Sequence, residues 1–283
     1  MTVTEPRQIR SVALYAPLGS FSADHGPAAF APAFCRAIKA SLTGLLFNIE
    51  ANSPPSQHAR SLAEAEQESR DRDAANAANA DRLAQLCTAQ GVTARTVTTI
   101  DHSRGLIGCV ADHARVHDAL VIGSVRNGIL GDRMMAENLL FETGRPVIVV
   151  PAAQAPEFTG SRIVAGWDNT RTSARALGDA LSLLPDLAEV VLVTMGDEKA
   201  IHSSLDDAGL VAALSARGLS ARVEHRALGG RKIGDALQDA AIELDADLLV
   251  MGGCGHSRLR DFFLGGATMG VLDAPRLPIL LSH

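Results

Sequence analysis

One short pattern, an aspartate followed by four apolar residues and a glycine, occurs once in each half of the chain. The two copies are Asp118–Gly123 (DALVIG) and Asp247–Gly252 (DLLVMG). After each copy come a loop, a helical stretch and an apolar run that begins at a proline, Pro146 or Pro278. A continuous apolar run of this length is typical of a strand buried on both faces of a sheet. The repeat therefore predicts two tandem copies of one structural unit.

Around this pattern, runs that suit strands alternate with stretches that suit helices. In the first half we predict strands at 12–15, 44–49, 93–98, 119–123 and 146–150, and helices at 28–42, 61–89, 105–116 and 134–141. In the second half we predict strands at 162–167, 190–194, 221–224, 248–252 and 278–281, and helices at 172–183, 203–216, 235–243 and 268–272. This alternation predicts an α/β fold with two tandem doubly wound parallel-sheet domains, 1–153 and 154–283, joined through the segment 152–160.

Composition and charge exclude several classes of protein. The 283 residues suit two average domains, and 47% apolar against 20% charged residues exclude a disordered chain. The net charge of -6 and the scattered Lys and Arg residues argue against a nucleic-acid binder. No apolar stretch approaches the ~20 residues of a membrane span, and the first ten residues form no signal peptide. We therefore expect a cytoplasmic protein that contacts neither nucleic acid nor membrane.

The four cysteines form no metal-binding pattern. Cys35, Cys87, Cys109 and Cys254 lie far apart without a CxxC pair, so we expect reduced and mostly buried thiols. His102, Asp112 and His113 are close in sequence, but scattered polar residues at a helix edge explain them better than a metal site does.

A glycine-rich segment, Gly252–Thr268, leaves the end of a buried strand and enters a helix. In an open α/β sheet, ligands bind at this edge. Glycines let backbone N–H groups approach an anion, and the helix that follows Gly265 offers free N–H groups and the positive end of its dipole at Gly266, Ala267 and Thr268. The segment predicts an anion site, with a tight turn that needs glycine only for its backbone as the alternative. It contains neither a Walker A lysine motif nor a GxGxxG after a first strand.

Here the chain resembles the universal stress protein family, whose pattern is Gly-x2-Gly-x9-Gly-Ser/Thr. Gly252, Gly255 and Gly265 match that pattern in type and spacing. The run Val164–Asp168 and the helix after it are also similar to the first strand and helix of the family. The resemblance covers the second half well and the first half weakly, and it implies an adenine nucleotide α-hydrolase-like fold.

The resemblance also implies a ligand, because some members of the family bind ATP or AMP. Asp168 matches an acidic residue that contacts the sugar or base side, and Thr194 matches a position whose backbone meets adenine. Gly252, Gly255 and Gly265 match the phosphate-loop glycines, and Mg²⁺ would only accompany the nucleotide. The chain departs from the pattern at Gly266, where the family has Ser or Thr. Thr268 could replace that hydroxyl or simply cap the helix.

The first half departs further from the pattern. Ser124, Val125 and Arg126 follow Gly123, so the second glycine of the pattern is missing. Asp132 stands near the expected phosphate position, and the segment Ala16–Leu18 after the first strand contains no acidic residue. We therefore interpret the first half as a degenerate copy kept for structure and pairing. The two closing strands, at 147–150 and 279–281, are expected to pair across a pseudo-two-fold axis, as the subunits of family dimers do. One chain would then mimic a dimer, and homodimerisation of the whole chain stays open.

These observations predict a stress-response protein whose second half binds an adenine nucleotide as a regulatory ligand. For Asp168, capping of the next helix is the alternative to ligand contact. A protein-interaction module without nucleotide is the second hypothesis, and an adenylating enzyme is a remote third. No GxSxG elbow or HExxH helix is present, so we expect no enzyme active site.

Overall fold

The computed structural model describes residues 10–18, 21–47, 62–98, 105–124, 132–196, 203–253 and 266–283. The first half contains β1 (Arg10–Tyr15), α1 (Gly26–Ile38), β2 (Ala40–Leu45), α2 (Leu62–Ala89), β3 (Ala94–Val97), α3 (Gly105–Ala114), β4 (Ala119–Gly123), α4 (Asp132–Thr143) and β5 (Val147–Val150). The second half contains β6 (Arg162–Gly166), α5 (Arg171–Leu183), β7 (Glu189–Met195), α6 (Asp207–Ser215), β8 (Ser220–Arg226), α7 (Ile233–Glu243), β9 (Leu248–Gly252), α8 (Gly266–Asp273) and β10 (Ile279–Ser282).

All ten of these strands form one continuous sheet in the order β3-β2-β1-β4-β5-β10-β9-β6-β7-β8. Neighbouring strands are parallel except at the centre, where β5 and β10 are antiparallel, with Val149 opposite Ile279 and Val147 opposite Leu281. The predicted pairing of the closing strands is therefore confirmed. It merges two doubly wound halves into a single sheet.

The repeated aspartate has the same structural task in each half. The Asp118 carboxylate accepts a hydrogen bond from the backbone N–H of Ser11 at 2.7 Å, and the Asp247 carboxylate accepts one from Arg162 at 3.0 Å. Each bond ties the start of the fourth strand of a half to the start of its first strand. A carboxylate that accepts backbone N–H groups is a strong partner at a strand end, which explains why both copies of the pattern begin with aspartate.

The helices cover both faces of the sheet. One buried apolar cluster contains residues of α1, α2, α5 and α6, and the other contains residues of α3, α4, α7 and α8. Strands β4, β5, β9 and β10 contribute to both clusters, as their uninterrupted apolar sequences predict.

Side chains join the two halves on both faces as well. On the α1 face, Phe158 of the connecting segment packs against Phe30 and Phe34, with ring centroids 5.4 and 5.1 Å apart. On the α4 face, Gly253 lies so close to Leu140 that a Cβ atom would overlap it. The central strand pairing is therefore held between two layers of side-chain contacts.

Two predicted helix boundaries are wrong. The helix predicted at 28–42 ends at Ile38, because Lys39 takes a left-handed conformation (φ 58°) and ends it. Strand β2 then begins at Ala40 rather than at residue 44. Leu42 is buried in the strand and lies four residues after the buried Ile38, a spacing that also fits a helical period. In addition α6 begins at Asp207 instead of 203, since the Asp206 side chain caps it by accepting from Gly209 N at 2.9 Å.

Two other sequence expectations concern cysteines and membranes. Cys35, Cys87 and Cys109 are buried and free, as predicted, whereas Cys254 lies outside the described residues. Among the helices in the described ranges, none is long and apolar enough to cross a bilayer.

We expect Phe158→Ala to destabilise the whole chain, since it removes a ring that is 4% exposed and packs on α1. Truncation of a buried Phe typically costs about 3–5 kcal/mol. Urea unfolding followed by circular dichroism measures the loss. The control is Val116→Ala, at a side chain that is 72% exposed, which should change the free energy of unfolding by less than about 0.5 kcal/mol. Equal effects of the two variants would contradict a joining role for Phe158.

The start of β7 carries a carboxylate between two guanidinium groups. Arg162 Nε donates to Glu189 at 2.6 Å and Arg222 binds its other oxygen, and these contacts lower the pKa of Glu189. A carboxylate with a lowered pKa stabilises the fold above the unfolded pKa of about 4.3, and this stabilisation is lost as the pH falls through the folded pKa.

Glu189→Gln should therefore be less stable than the wild type at pH 7, and the difference should shrink as the pH falls below about 4.3. Urea titrations at several pH values measure this. Glu157→Gln, at an exposed position in the connecting segment, is the matched control and should show no such convergence. A difference that stayed constant with pH would show that the ion pairs do not stabilise the sheet.

Candidate functional site

The second half has a topological switch point between β9 and β6. These strands are parallel neighbours, with Val250 beside Ala165. The helix after β6, α5, packs on one face of the sheet, whereas the helix after β9, α8, packs on the other. The chain thus leaves the carboxyl ends of two adjacent strands toward opposite faces of the sheet, and this is the position at which open α/β sheets bind ligands in a crevice.

Gly252, at the end of β9, lies directly against the first turn of α5. A Cβ atom there would come within 2.5 Å of Thr172 C and 2.6 Å of Ser173 N. The equivalent Gly123 in the first half is similarly close to Pro27, at 2.8 Å from its Cγ. Helix packing alone therefore requires a glycine at this position, whether or not a ligand binds.

The first turn of α5 is capped by Thr170. Its side chain accepts from Ser173 N at 3.3 Å, and the Ser173 side chain reaches back to the Thr170 backbone N–H, which completes a capping box. Asp168 is not the cap, so that alternative is wrong. Its Oδ1 accepts from the backbone N–H of Thr170 at 3.1 Å and from the Thr170 hydroxyl at 2.7 Å.

Asp168 is exposed, and its Oδ2 has no hydrogen bond to any described residue. Asn169, in a left-handed conformation (φ 58°), turns the chain between Asp168 and the cap. One oxygen of the Asp168 carboxylate thus orients the start of α5, and the other is open to a hydroxyl or N–H donor at the edge of the crevice.

The first turn of α8 combines an open position with a buried one. Gly266 is exposed, and a Cβ atom there would meet nothing within 4 Å. Ala267 is partly buried, whereas Thr268 is 2% exposed and its hydroxyl donates to the Gly252 carbonyl at 3.4 Å. This contact joins α8 to the end of β9 and supports a structural role for Thr268.

Several predicted site residues cannot be placed. Gly255 and Gly265 lie outside the described residues, as does the rest of the glycine-rich segment between them. The backbone that the structure brings to the crevice therefore consists of Gly252 and Gly253 on one side and the first turn of α8 on the other.

Thr194, near the end of β7, is buried and forms part of a hydrogen-bonded chain. Its hydroxyl lies 2.7 Å from His225 Nδ1, and His225 Nε2 lies 2.7 Å from Asp207 Oδ2. Neither His225 nor Asp207 was predicted from the sequence as a site residue. A signal was present, because His225 falls on the same face of β8 as the apolar Ala221 and Val223, which pack against the core.

These three side chains do not form a hydrolase triad. In such a triad the carboxylate binds Nδ1 and the nucleophile binds Nε2, whereas here the two ring nitrogens are exchanged. Thr194 is moreover only 3% exposed. Within the described ranges no group of three His, Cys, Asp or Glu side chains could hold a metal ion, and His102 lies outside these ranges.

The corresponding helix in the first half is α1, and contacts within the protein occupy its start. The backbone N–H of Gly26 donates to the Gln154 carbonyl of the connecting segment at 2.8 Å, and Pro27 has no N–H. Tyr15, at the end of β1, is buried, which raises the pKa of its hydroxyl so that it stays protonated. Asp132 begins α4. The interpretation of the first half as a degenerate copy stays a prediction, because residues 125–131 of the corresponding loop lie outside the described ranges.

Comparison with known proteins agrees with this geometry. Residues 160–283 match the sequence model of the universal stress protein family. This half of the chain belongs to the universal stress protein family. The predicted family is thereby confirmed, on a match that includes the switch point, Asp168, Thr194 and the glycine-rich segment. No curated protein matches the chain significantly in sequence.

Solved structures resemble the chain over nearly its full length. A universal stress protein from Archaeoglobus fulgidus shares 13% identity at a TM-score of 0.66, with 95% of each chain covered. A protein of unknown function from Pseudomonas aeruginosa PAO1 shares 16% identity at a TM-score of 0.56, covering 97% of this chain and 92% of its own. A putative universal stress protein from Pseudomonas aeruginosa UCBPP-PA14 shares 15% identity at a TM-score of 0.55, covering 97% and 93%. These likenesses confirm the predicted fold class for both halves.

We expect Gly252→Ala to destabilise the protein, because the new Cβ would displace the first turn of α5. The matched control is Gly178→Ala within α5, where a Cβ meets nothing within 4 Å. That change should stabilise the helix by about 0.5–1 kcal/mol. Thermal unfolding of both variants measures the contrast. If Gly252→Ala were as stable as the wild type, close helix packing would not be the reason for this glycine.

Proposed function

We propose that the second half binds an adenine nucleotide, ATP or AMP, as the regulatory ligand of a stress-response protein. The observation that carries the proposal is the switch point between β9 and β6, where the first turns of α5 and α8 flank one crevice in a universal stress protein domain. Two helix N-termini at one crevice provide backbone N–H groups and positive dipole ends that favour an anionic ligand.

Different residues around the crevice would contact the phosphates, the ribose and the base of the nucleotide. The N–H groups at Gly266 and Ala267 would bind phosphate, together with the predicted loop glycines Gly255 and Gly265. The Asp168 Oδ2 atom would accept a ribose hydroxyl, since Oδ1 is already used by Thr170. The base would lie at the end of β7, beside Thr194. Mg²⁺ would bind only through the phosphates of the nucleotide.

We further propose a regulatory rather than a catalytic role, in the cytoplasm. Among the described residues, the His225–Asp207 pair is bonded to a buried threonine, Thr194, and not to an exposed nucleophile. Rapid hydrolysis would need a positioned base or an arginine finger, and the described residues around the crevice include neither.

A specific observation supports a second candidate, a protein-interaction module without nucleotide. Gly266 lacks the hydroxyl that the family pattern has there, and Thr268 is buried and bonded to Gly252 instead of replacing it. The lost hydrogen bond to a charged phosphate is worth about 1.5–3 kcal/mol. The two candidates differ in whether nucleotide stabilises the protein.

Nucleotide binding should raise the melting temperature. We expect ATP, ADP or AMP, with and without Mg²⁺, to stabilise the wild type by about 2.7 kcal/mol at 100 times the dissociation constant. Gly255→Glu places a negative charge in the predicted phosphate loop and should abolish the shift. No shift in the wild type at millimolar nucleotide would exclude this function and favour the interaction module.

Gly266→Ser should strengthen binding, because the position is open and the serine hydroxyl would restore the missing phosphate contact. The expected gain in affinity is about tenfold, measured by calorimetry. Gly178→Ser, at another open helical position away from the crevice, is the control and should leave the affinity unchanged. Equal affinities of the wild type and Gly266→Ser would show that the phosphate does not approach the start of α8.

A further inference from the structure

The sheet ends at strand β3 on one side and at strand β8 on the other. Strand β3 has four residues, whereas β8 has seven, and the whole of β8 is paired in register with β7. Strand β8 contains neither proline nor glycine, so nothing in its sequence interrupts the pairing. An edge strand of this kind presents a row of N–H and C=O groups with which another strand can pair.

Two hydrogen bonds show which backbone groups of β8 point away from the sheet. The Ser220 N–H donates to the Ala188 carbonyl at 2.8 Å, and the Arg226 carbonyl accepts from the Gly196 N–H at 3.0 Å. Successive residues of a strand direct these groups to alternate sides, so every second residue from Ser220 faces β7. The outward N–H and C=O groups belong to the residues between them, Ala221, Val223 and His225. No residue in the described ranges pairs with this side of β8.

The side chains on one face of β8 alternate in charge. Arg222 Nε donates to Glu224 at 3.2 Å, and Arg226 binds the same carboxylate at 2.9 Å. The side chains of Arg222 and Glu224 nevertheless remain 44% and 27% exposed. Both can therefore contact a further charged group that approaches the edge.

We propose that β8 is a dimer interface, at which it pairs antiparallel with β8 of a second copy of this chain in a register centred on Val223. The outward backbone groups of Val223 would bond to those of Val223 in the partner. Arg222 would then lie directly opposite Glu224 of the partner, and Glu224 opposite Arg222. Since the backbone groups of these two residues face β7, they would form the non-hydrogen-bonded pair, in which opposite side chains are closest.

The sequence of β8 favours this register over its neighbours. Opposite charges that face each other across two strands stabilise the pairing, whereas like charges destabilise it. A register centred on Arg222 or on Glu224 would place that residue opposite its own copy. The register centred on Val223 avoids both contacts and pairs all seven residues of the strand.

The alternative is that the charged side chains of β8 keep the edge monomeric, as charges on edge strands do in many proteins. The two possibilities differ in the oligomeric state of the full chain. Neither involves the crevice of the second half, so the dimer can be tested without nucleotide and does not depend on the proposed function.

Sedimentation equilibrium of the full chain over the micromolar range tests the proposal, and we expect the wild type to be a dimer. Val223→Pro removes an N–H that the sheet does not use, and proline is tolerated at such an edge position. It deletes the central hydrogen bonds of the interface and should weaken the dimer by about thirtyfold or more. Val223→Ala keeps the N–H and is the matched control, which should change the dissociation constant by less than about threefold. Circular dichroism of both variants checks that they are folded.

A second variant tests the register. Glu224→Arg places like charges opposite each other at both symmetric contacts and should weaken the dimer by about tenfold. This variant decides the question if Val223→Pro does not fold. A monomeric wild type would overturn the proposal, and so would a dimer that both variants retain, because its interface would lie elsewhere. A dimer weakened by Val223→Pro but not by Glu224→Arg would overturn the register centred on Val223.

Discussion

The antiparallel pairing of β5 with β10 is the interaction on which the rest of the structure depends. Every residue of both strands is buried. Without this pairing, each half would end in an uninterrupted apolar edge strand, which soluble proteins avoid because such edges aggregate. The pairing makes one sheet of two and brings α4 beside α8, where Leu140 reaches Gly253. The two apolar clusters on the faces of the sheet are thus complete only when both halves are present.

Helix packing and the proposed ligand both require a residue without a side chain at the end of β9. Gly252 has no space for a Cβ because α5 begins directly above it. The same approach brings the first turn of α5 to the crevice, where its dipole favours an anion. Glycine at this position is therefore not by itself a sign of nucleotide binding, and Gly123, which packs on Pro27, shows the same packing in the half where the helix start is closed.

Much of the fold could be predicted from local sequence, and the errors have physical causes. Buried parallel strands are uninterrupted apolar runs, so β4 and β9 were found with their exact bounds. The end of α1 was not predicted, because Lys39 takes the left-handed conformation that ends the helix. Glycine, the residue that usually marks such a helix end in a sequence, is absent at this position. Asp168 lies directly after β6, as the resemblance implied, and its contact with a ligand stays a prediction. The contact between His225 and Asp207 was not predicted, because the two residues are 18 positions apart and lie in different elements. Neither a helical nor a strand period relates them.

The two halves differ at the helix that follows their first strand, and the proposed ligand site in the second half depends on this difference. Helix α5 begins with a side-chain cap, Thr170, oriented by one oxygen of Asp168, so its outer surface stays accessible. Helix α1 begins with Pro27 after a glycine whose N–H is bonded to Gln154 of the connecting segment. That segment also carries Phe158, which packs on α1 and joins the halves. The contacts that hold the tandem together thus occupy the start of α1, whereas the start of α5 is capped by the side chain of its own Thr170.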